Sequence, residues 1–227
     1  MSIFTTQTIS CPACATPIHF DLVISVNVDR RPDYRDAILD GSFQRQPCPS
    51  CGTPFRVEPE FTYMDIKGGQ YIGVWPRSKR GDWQACAART RALFDATLGS
   101  HAPPEAKGVG EGLVVRAVFG WPALVEKILA RRAGIDDRTL EAAKVAVMRT
   151  REETPLPGGR ALRLVRVDDE TLLLAWVGSD GQERPESWRV PRGLIDDIEA
   201  QPEAWQSLRE SVVSGDVVDF QRDLLAA

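Results

Sequence analysis

Four of the five cysteines fall in two matching motifs, Cys11-Pro12-Ala13-Cys14 and Cys48-Pro49-Ser50-Cys51. Two Cys-x-x-Cys pairs supply four soft ligands, the set that a tetrahedral zinc ion takes in structural sites. In each tetrapeptide the backbone turns tightly enough for both thiolates to face one point, and the proline after the first cysteine pre-bends that turn. Gly52 follows the last cysteine and permits a positive φ. Ala15 stands in the same place after the first motif. The pattern predicts one structural Zn²⁺ held by Cys11, Cys14, Cys48 and Cys51.

The spacer is long. Residues 15–47 separate the pairs, where common ribbons use about 15–20 residues. Roughly doubling a flexible loop adds only about 0.6 kcal/mol of closure entropy. A strand and a helix inside the spacer lower that cost further, so one site remains compatible with the spacing.

Redox chemistry is the rival reading of a Cys-Pro-x-Cys motif. It requires an exposed first cysteine at a helix N-terminus, where the thiol pKa falls. Here Thr16-Pro17 and Thr53-Pro54 follow the motifs and lead into strands. A catalytic zinc needs an open coordination position, and four cysteines leave none. Cys86 shares a helical face with Trp83, Ala87 and Phe94 and reads as a buried, inert thiol.

Only two histidines are present, His19 on the polar face of a strand and His101 in a linker. His19 is close enough in sequence to the first motif to contact the ligands, though a surface position fits it better. With so few histidines a Ser–His or Cys–His arrangement has little to draw on. Carboxylates are plentiful, but none is placed by a motif. The stretch Trp75-Pro76-Arg77-Ser78-Lys79-Arg80-Gly81-Asp82-Trp83 interleaves bases and aromatics, as single-strand binders do. A solvated loop flanked by packed tryptophans fits it better. Gly108-Val109-Gly110-Glu111-Gly112 lacks the spacing of a dinucleotide fingerprint.

The 227-residue chain is long enough for one large or two small domains, with 43% hydrophobic and 26% charged residues. Its net charge of -4 excludes an overall electrostatic grip on nucleic acid. Residues 1–100 carry net +1 and residues 101–227 net -5. The segment after Met1 is too polar for a signal peptide. The longest apolar run, Leu172 to Val177, is far short of the ~18 residues of a membrane helix. A cytoplasmic location is expected, where paired cysteines bind metal more often than they form disulfides. The excess of Arg over Lys and the abundance of Ala suggest a GC-rich bacterial source.

The positioning elements follow from periodicity. Ile18, Phe20, Leu22, Ile24, Val26 and Val28 alternate with polar residues and predict a strand after a short lead-in. Pro32 to Leu39 predicts a helix ended by Gly41. Phe55, Val57, Phe61 and Tyr63 alternate again, with Pro59 at an edge or bulge. Gly68-Gly69 predicts a hairpin turn into a strand over Gln70 to Trp75. Asp82 is a candidate N-cap for a helix over Trp83 to Leu98. Ser100 to Gly112 reads as a linker, Leu113 to Val118 as a strand, and Trp121 to Leu129 as a helix stopped by Gly134. Asp136 caps a further helix from Arg138 to Arg149.

Thr154-Pro155-Leu156-Pro157-Gly158-Gly159 marks a boundary. Beyond it a hairpin is predicted over Ala161–Val167 and Thr171–Val177, with a turn at Ser179-Asp180-Gly181 and a third strand near Trp188. Short helices over Leu194–Ala200 and Pro202–Val213 follow, and Val217 to Leu225 is ambiguous.

The chain resembles the bacterial CpXC proteins, which carry two Cys-Pro-x-Cys motifs. The resemblance spans roughly residues 8–150. It rests on Ile38-Leu39-Asp40-Gly41-Ser42-Phe43 ahead of Cys48-Pro49-Ser50-Cys51-Gly52, and on Phe61-Thr62-Tyr63-Met64-Asp65. Val118-Phe119-Gly120, Glu126-Lys127-Ile128 and Gly134-Ile135-Asp136-Asp137-Arg138 extend it. It implies that the four cysteines act as one unit and supplies no substrate.

The expected fold is α+β. A zinc-ribbon-like β region (8–76) and a helical segment (82–150) form a zinc-binding domain over 8–150, and 158–227 form a small C-terminal α+β domain. The expected function is a zinc-stabilised protein-interaction or regulatory module without catalysis or membrane contact. A nucleic-acid binder using the Arg77–Arg80 loop is the alternative, and a thiol oxidoreductase the third reading.

Overall fold

A computed structural model describes residues 3–150, 159–178 and 183–223 of the chain, and side chains at 183–185 are left aside. The boundary over 154–158 and the turn at Ser179-Asp180-Gly181 lie outside the described residues. The fold is α+β. A five-stranded mixed sheet has the order β1-β2-β5-β6-β7, built from β1 (Ile3–Ser10), β2 (Pro17–Asn27), β5 (Phe61–Asp65), β6 (Gln70–Trp75) and β7 (Val114–Phe119).

β2 pairs in parallel with β5, and β6 with β7; the other pairs are antiparallel. Parallel neighbours need long crossovers. The first contains α1 (Pro32–Asp40) and a small hairpin of β3 (Arg45–Pro47) and β4 (Pro54–Arg56). The second contains α2 (Trp83–Thr97) and α3 (Pro104–Gly110).

β6 is buried along its whole length because helices cover both faces of the sheet. One face carries Val26, Tyr63, Ile72 and Val118 against Ile38 of α1 and Trp121, Leu124 and Ile128 of α4 (Trp121–Arg132). On the other face Tyr71 and Val115 meet Phe94 of α2, while Trp75 and Phe119 meet Cys86. Burial of this apolar surface, worth about 25 cal/mol per Å², is what the alternation in the strands encodes.

Four local expectations are corrected. The lead-in before Cys11 is the edge strand β1, which alternation could not reveal because most of its side chains are exposed. Pro59 splits the second alternating run into β4 and β5 instead of bending one strand; it has no amide to give a ladder. Asp82 makes no side-chain cap, because the chain enters α2 from a 3₁₀ turn over Arg77–Asp82. The expected linker also contains α3. Asp136 does cap α5 (Asp137–Arg149), accepting from the amides of Arg138 and Thr139.

The C-terminal part forms a three-stranded antiparallel sheet, β10-β9-β8, from β8 (Ala161–Val167), β9 (Thr171–Val177) and β10 (Glu183–Pro191). It shares one apolar core with Ala130, Ile135, Leu140 and Ala143 of the α4–α5 region and with α6 (Gly193–Ala200). α7 (Pro202–Ser211) leads to a two-residue hairpin, β11 (Val213–Ser214) and β12 (Val217–Val218). This hairpin reaches back to the main sheet, where the Ala117 amide donates to the Asp216 carbonyl at 2.9 Å.

A buried network of charges lies at this junction. Lys144 bridges Glu126 at 2.6 Å and Glu141 at 2.7 Å. Arg163 of β8 bridges Glu126 at 3.0 Å and Asp219 at 2.7 Å. Asp219 also meets Arg80 at 2.8 Å, and Lys127 meets Asp137 at 2.9 Å. Buried charges persist only when paired in this way.

Candidate metal centre

Each cysteine motif is the turn of a β-hairpin. Cys11 to Cys14 joins β1 to β2, and Cys48 to Cys51 joins β3 to β4. The two turns share one backbone pattern. The Cys11 amide donates to the Thr16 carbonyl at 2.9 Å, and the Ala15 amide to the Cys11 carbonyl at 2.9 Å. In the second turn Cys48 donates to Thr53 at 2.9 Å and Gly52 to Cys48 at 2.8 Å. The geometry requires a positive φ at the residue after each second cysteine. Gly52 has φ 74° at no steric cost, whereas Ala15 takes φ 57° with a Cβ.

The tertiary fold brings the two turns together. All four Sγ atoms lie within 4.8 Å of one another. Cys11 Sγ is 3.8 Å from Cys51 Sγ, and Cys14 Sγ is 3.7 Å from Cys48 Sγ. A tetrahedron with metal–sulfur bonds of about 2.3 Å has edges of about 3.8 Å. The four cysteines can therefore hold a metal ion, and all are free thiols. Cys11 and Cys48 are buried, while Cys14 and Cys51 face outward. A thin apolar patch of Ile9, Ile18 and Phe55 lies beneath them, and the Phe20 and Phe55 rings are 6.4 Å apart.

The electrostatics suit a cation. Cys14 Sγ lies 3.2 Å from the Thr16 hydroxyl. Hydrogen bonds from Thr16 bring the Cys14 thiol down to about 6, and Thr53 lowers Cys51 in the same manner. Amide bonds from Cys51 and Ser50 favour the Cys48 thiolate, yet burial and the adjacent Cys11 and Cys51 thiols push it up to about 11. Four thiols this close cannot all ionise without a positive charge between them.

The remaining candidates fall elsewhere. His19 lies on the exposed face of β2, 3.2 Å from the Thr8 hydroxyl, and is not one of the clustered residues. Cys86 is buried on the inner face of α2, and burial raises its thiol. Arg80 of the basic–aromatic stretch is buried against Asp219 and is not presented to solvent.

The junction network was not readable from sequence, although α4 holds a signal for it. Residues 123 to 130 of that helix are buried almost all round, and Glu126 and Lys127 sit in the middle of them. Polar residues inside an all-round buried helix require buried partners.

A family model described as CpXC protein matches residues 9–144. The chain belongs to the CpXC family. The match covers all four clustered cysteines and reaches Lys144 of the buried network. No curated protein and no solved structure matches the chain. Among the described residues of this CpXC protein, no helix is long and apolar enough to cross a membrane.

Proposed function

We propose that this CpXC protein is a zinc-stabilised protein-interaction or regulatory module that carries out no catalysis at its metal. The observation that carries the reading is the tetrahedral spacing of the four Sγ atoms. An all-sulfur tetrahedral set suits zinc, and four protein ligands leave no position for substrate or water. Two hairpin tips clamped on one ion make a zinc-ribbon-like unit. The ion supplies rigidity where the apolar patch of Ile9, Ile18 and Phe55 is too small to do so.

The unit ends in β1, the outermost strand of its sheet, with Ile3 and Phe4 half exposed. An open strand edge beside apolar side chains is a surface on which a protein partner docks. A reducing compartment would keep the thiols available. The nucleic-acid reading is weaker, since one of its two named cations, Arg80, is committed to Asp219.

Metal analysis of protein purified without added zinc tests the proposal. About one zinc per chain is expected, with Cys48→Ser losing both the metal and the folding of the β1–β2 and β3–β4 hairpins. Well under one equivalent of metal, together with unchanged folding in Cys48→Ser, would sink it. Affinity capture from the native host, with wild type beside Cys48→Ser, then separates partners of the intact unit from background.

A further inference from the structure

A cleft of about 520 Å³ lies between the β3–β4 hairpin, the end of α1, the first turn of α4 and strand β8. Clefts of this size hold small organic ligands. Its lining includes Arg45, Arg56 and Arg77 against Asp40 and Glu58. We propose that it binds the phosphate group of a small molecule, gripped by Arg45 and Arg56.

The first argument is register. Arg45 and Arg56 are direct partners in the antiparallel β3–β4 ladder. Directly opposed residues project from the same face, and like charges there destabilise the pair. Arg45 is exposed and Arg56 half-buried, and three buried or half-buried arginines nearby show the ordinary solution. Arg80, Arg116 and Arg163 each meet a carboxylate. Among the described residues neither Arg45 nor Arg56 does so; their bonds go to backbone carbonyls.

The second argument is preorganisation. The Arg56 guanidinium lies 3.6 Å from the Trp121 ring centroid. Its Nε donates to the Phe43 carbonyl at 2.9 Å and its Nη2 to the Ile38 carbonyl at 3.4 Å. Nη1 bonds to no described residue and is not sealed from solvent. Burial, and then repulsion from Arg45, lowers the Arg56 pKa to about 10 against the attraction of Asp40 and Glu58. A cation in that position gains from any anion that enters.

The acidic residues of the cleft, Asp40 and Glu58, attract Arg56 through space but form no hydrogen bond with it. Asp40 accepts from the Ser42 amide at 2.8 Å, and Glu58 accepts from the Arg77 amide at 3.0 Å. Arg163 is spent on Glu126 and Asp219.

Phosphate fits better than a monocarboxylate. It brings up to two negative charges to two opposed guanidiniums, and its oxygens match their planar donor forks. The β3–β4 hairpin ends in the Cys48 turn, so whatever fixes the thiols also fixes the register of Arg45 with Arg56.

Titration calorimetry with inorganic phosphate and with pyrophosphate, at constant ionic strength over chloride, tests the site. Saturable binding is expected. Arg45→Gln should weaken it about tenfold or more, as for loss of a charge-assisted hydrogen bond. Without phosphate, Arg45→Gln should melt no lower than wild type, because the like-charge contact is relieved. Arg56→Lys, which keeps the charge and loses the fork, should weaken binding while leaving the fold intact. Heat no different from chloride overturns the proposal, and so does equal affinity in Arg45→Gln and Arg56→Lys. Succinate binding as tightly as phosphate overturns the choice of phosphate.

Discussion

Lys144→Met tests the logic of the buried junction most directly. Lys144 is fully buried, with its ammonium 2.6 Å from Glu126 and 2.7 Å from Glu141. Glu126 also has Arg163 at 3.0 Å and accepts from the Leu164 amide at 2.6 Å. Among the described residues Glu141 has only the shared ammonium and the Phe220 amide at 3.2 Å. Burial accordingly pushes its carboxyl up to about 7, with Lys144 opposing that shift.

Methionine keeps the length of the side chain and deletes the cation. Removing one partner of a buried ion pair costs about 3–5 kcal/mol. That is a large share of the total stability of a domain, about 5–15 kcal/mol. Urea denaturation at about pH 8 should show the loss as a lower midpoint.

The sign of the pH dependence follows from Glu141. A carboxyl whose folded pKa lies above its unfolded value of about 4.5 contributes stability below that value, and loses it as pH rises through the folded pKa. Without Lys144 the folded pKa rises further, so more stability is lost on the way to alkaline pH. The deficit of Lys144→Met should therefore shrink at about pH 5.5, where a proton takes the place of the ammonium. Glu141→Gln added to Lys144→Met should recover part of the deficit at about pH 8. A cost under about 1 kcal/mol, or a deficit equal at both pH values, would refute the reasoning.

Three further outcomes are expected. Ala15→Gly should raise the melting temperature of the metal-loaded protein and Gly52→Ala should lower it, each by the equivalent of about 1 kcal/mol, since both positions have positive φ; opposite signs in calorimetry would contradict the turn geometry. Attraction to nearby cations holds the folded-state pKa of Glu126, Asp137 and Asp219 below the ordinary values of 4.5 and 3.8, despite burial. Their stabilisation is present above those values and is lost as pH falls through the folded ones, so urea midpoints measured in an acid series should drop steadily below about pH 4.5. Truncation after Thr150 removes Arg163 and Asp219, leaving Glu126 with Lys144 as its remaining ion-pair partner and Arg80 without the Asp219 carboxylate; fragment 1–150 should lose cooperative unfolding, and a sharp wild-type-like transition would count against the junction.

Much of the local structure was legible because it depends on neighbours in sequence. The alternation of Ile18 to Val28 matches β2, Gly68-Gly69 lies in the turn between β5 and β6, and the Asp136 cap opens α5. β1 was missed because an exposed edge strand of Thr and Gln carries no one-sided pattern. The Arg77–Arg80 stretch read as a solvated loop because nothing near it in sequence announces Asp219, the partner that buries Arg80.

The candidate metal centre divides along the same line. Residue type and the two-residue spacing within each motif determined that two thiols meet at each turn, since such a turn is closed by local hydrogen bonds. That the two turns meet each other was decided by the tertiary structure, which sets one hairpin tip against the other across the Ile18–Phe55 patch. The arginine pair and the buried charges belong wholly to that second level. Opposition of Arg45 to Arg56 depends on a ladder register, and Glu126–Arg163 spans 37 residues. Periodicity shows which face of an element is apolar; only the packed chain shows which charge lies opposite it, because Coulomb attraction acts through space and leaves no pattern along the sequence.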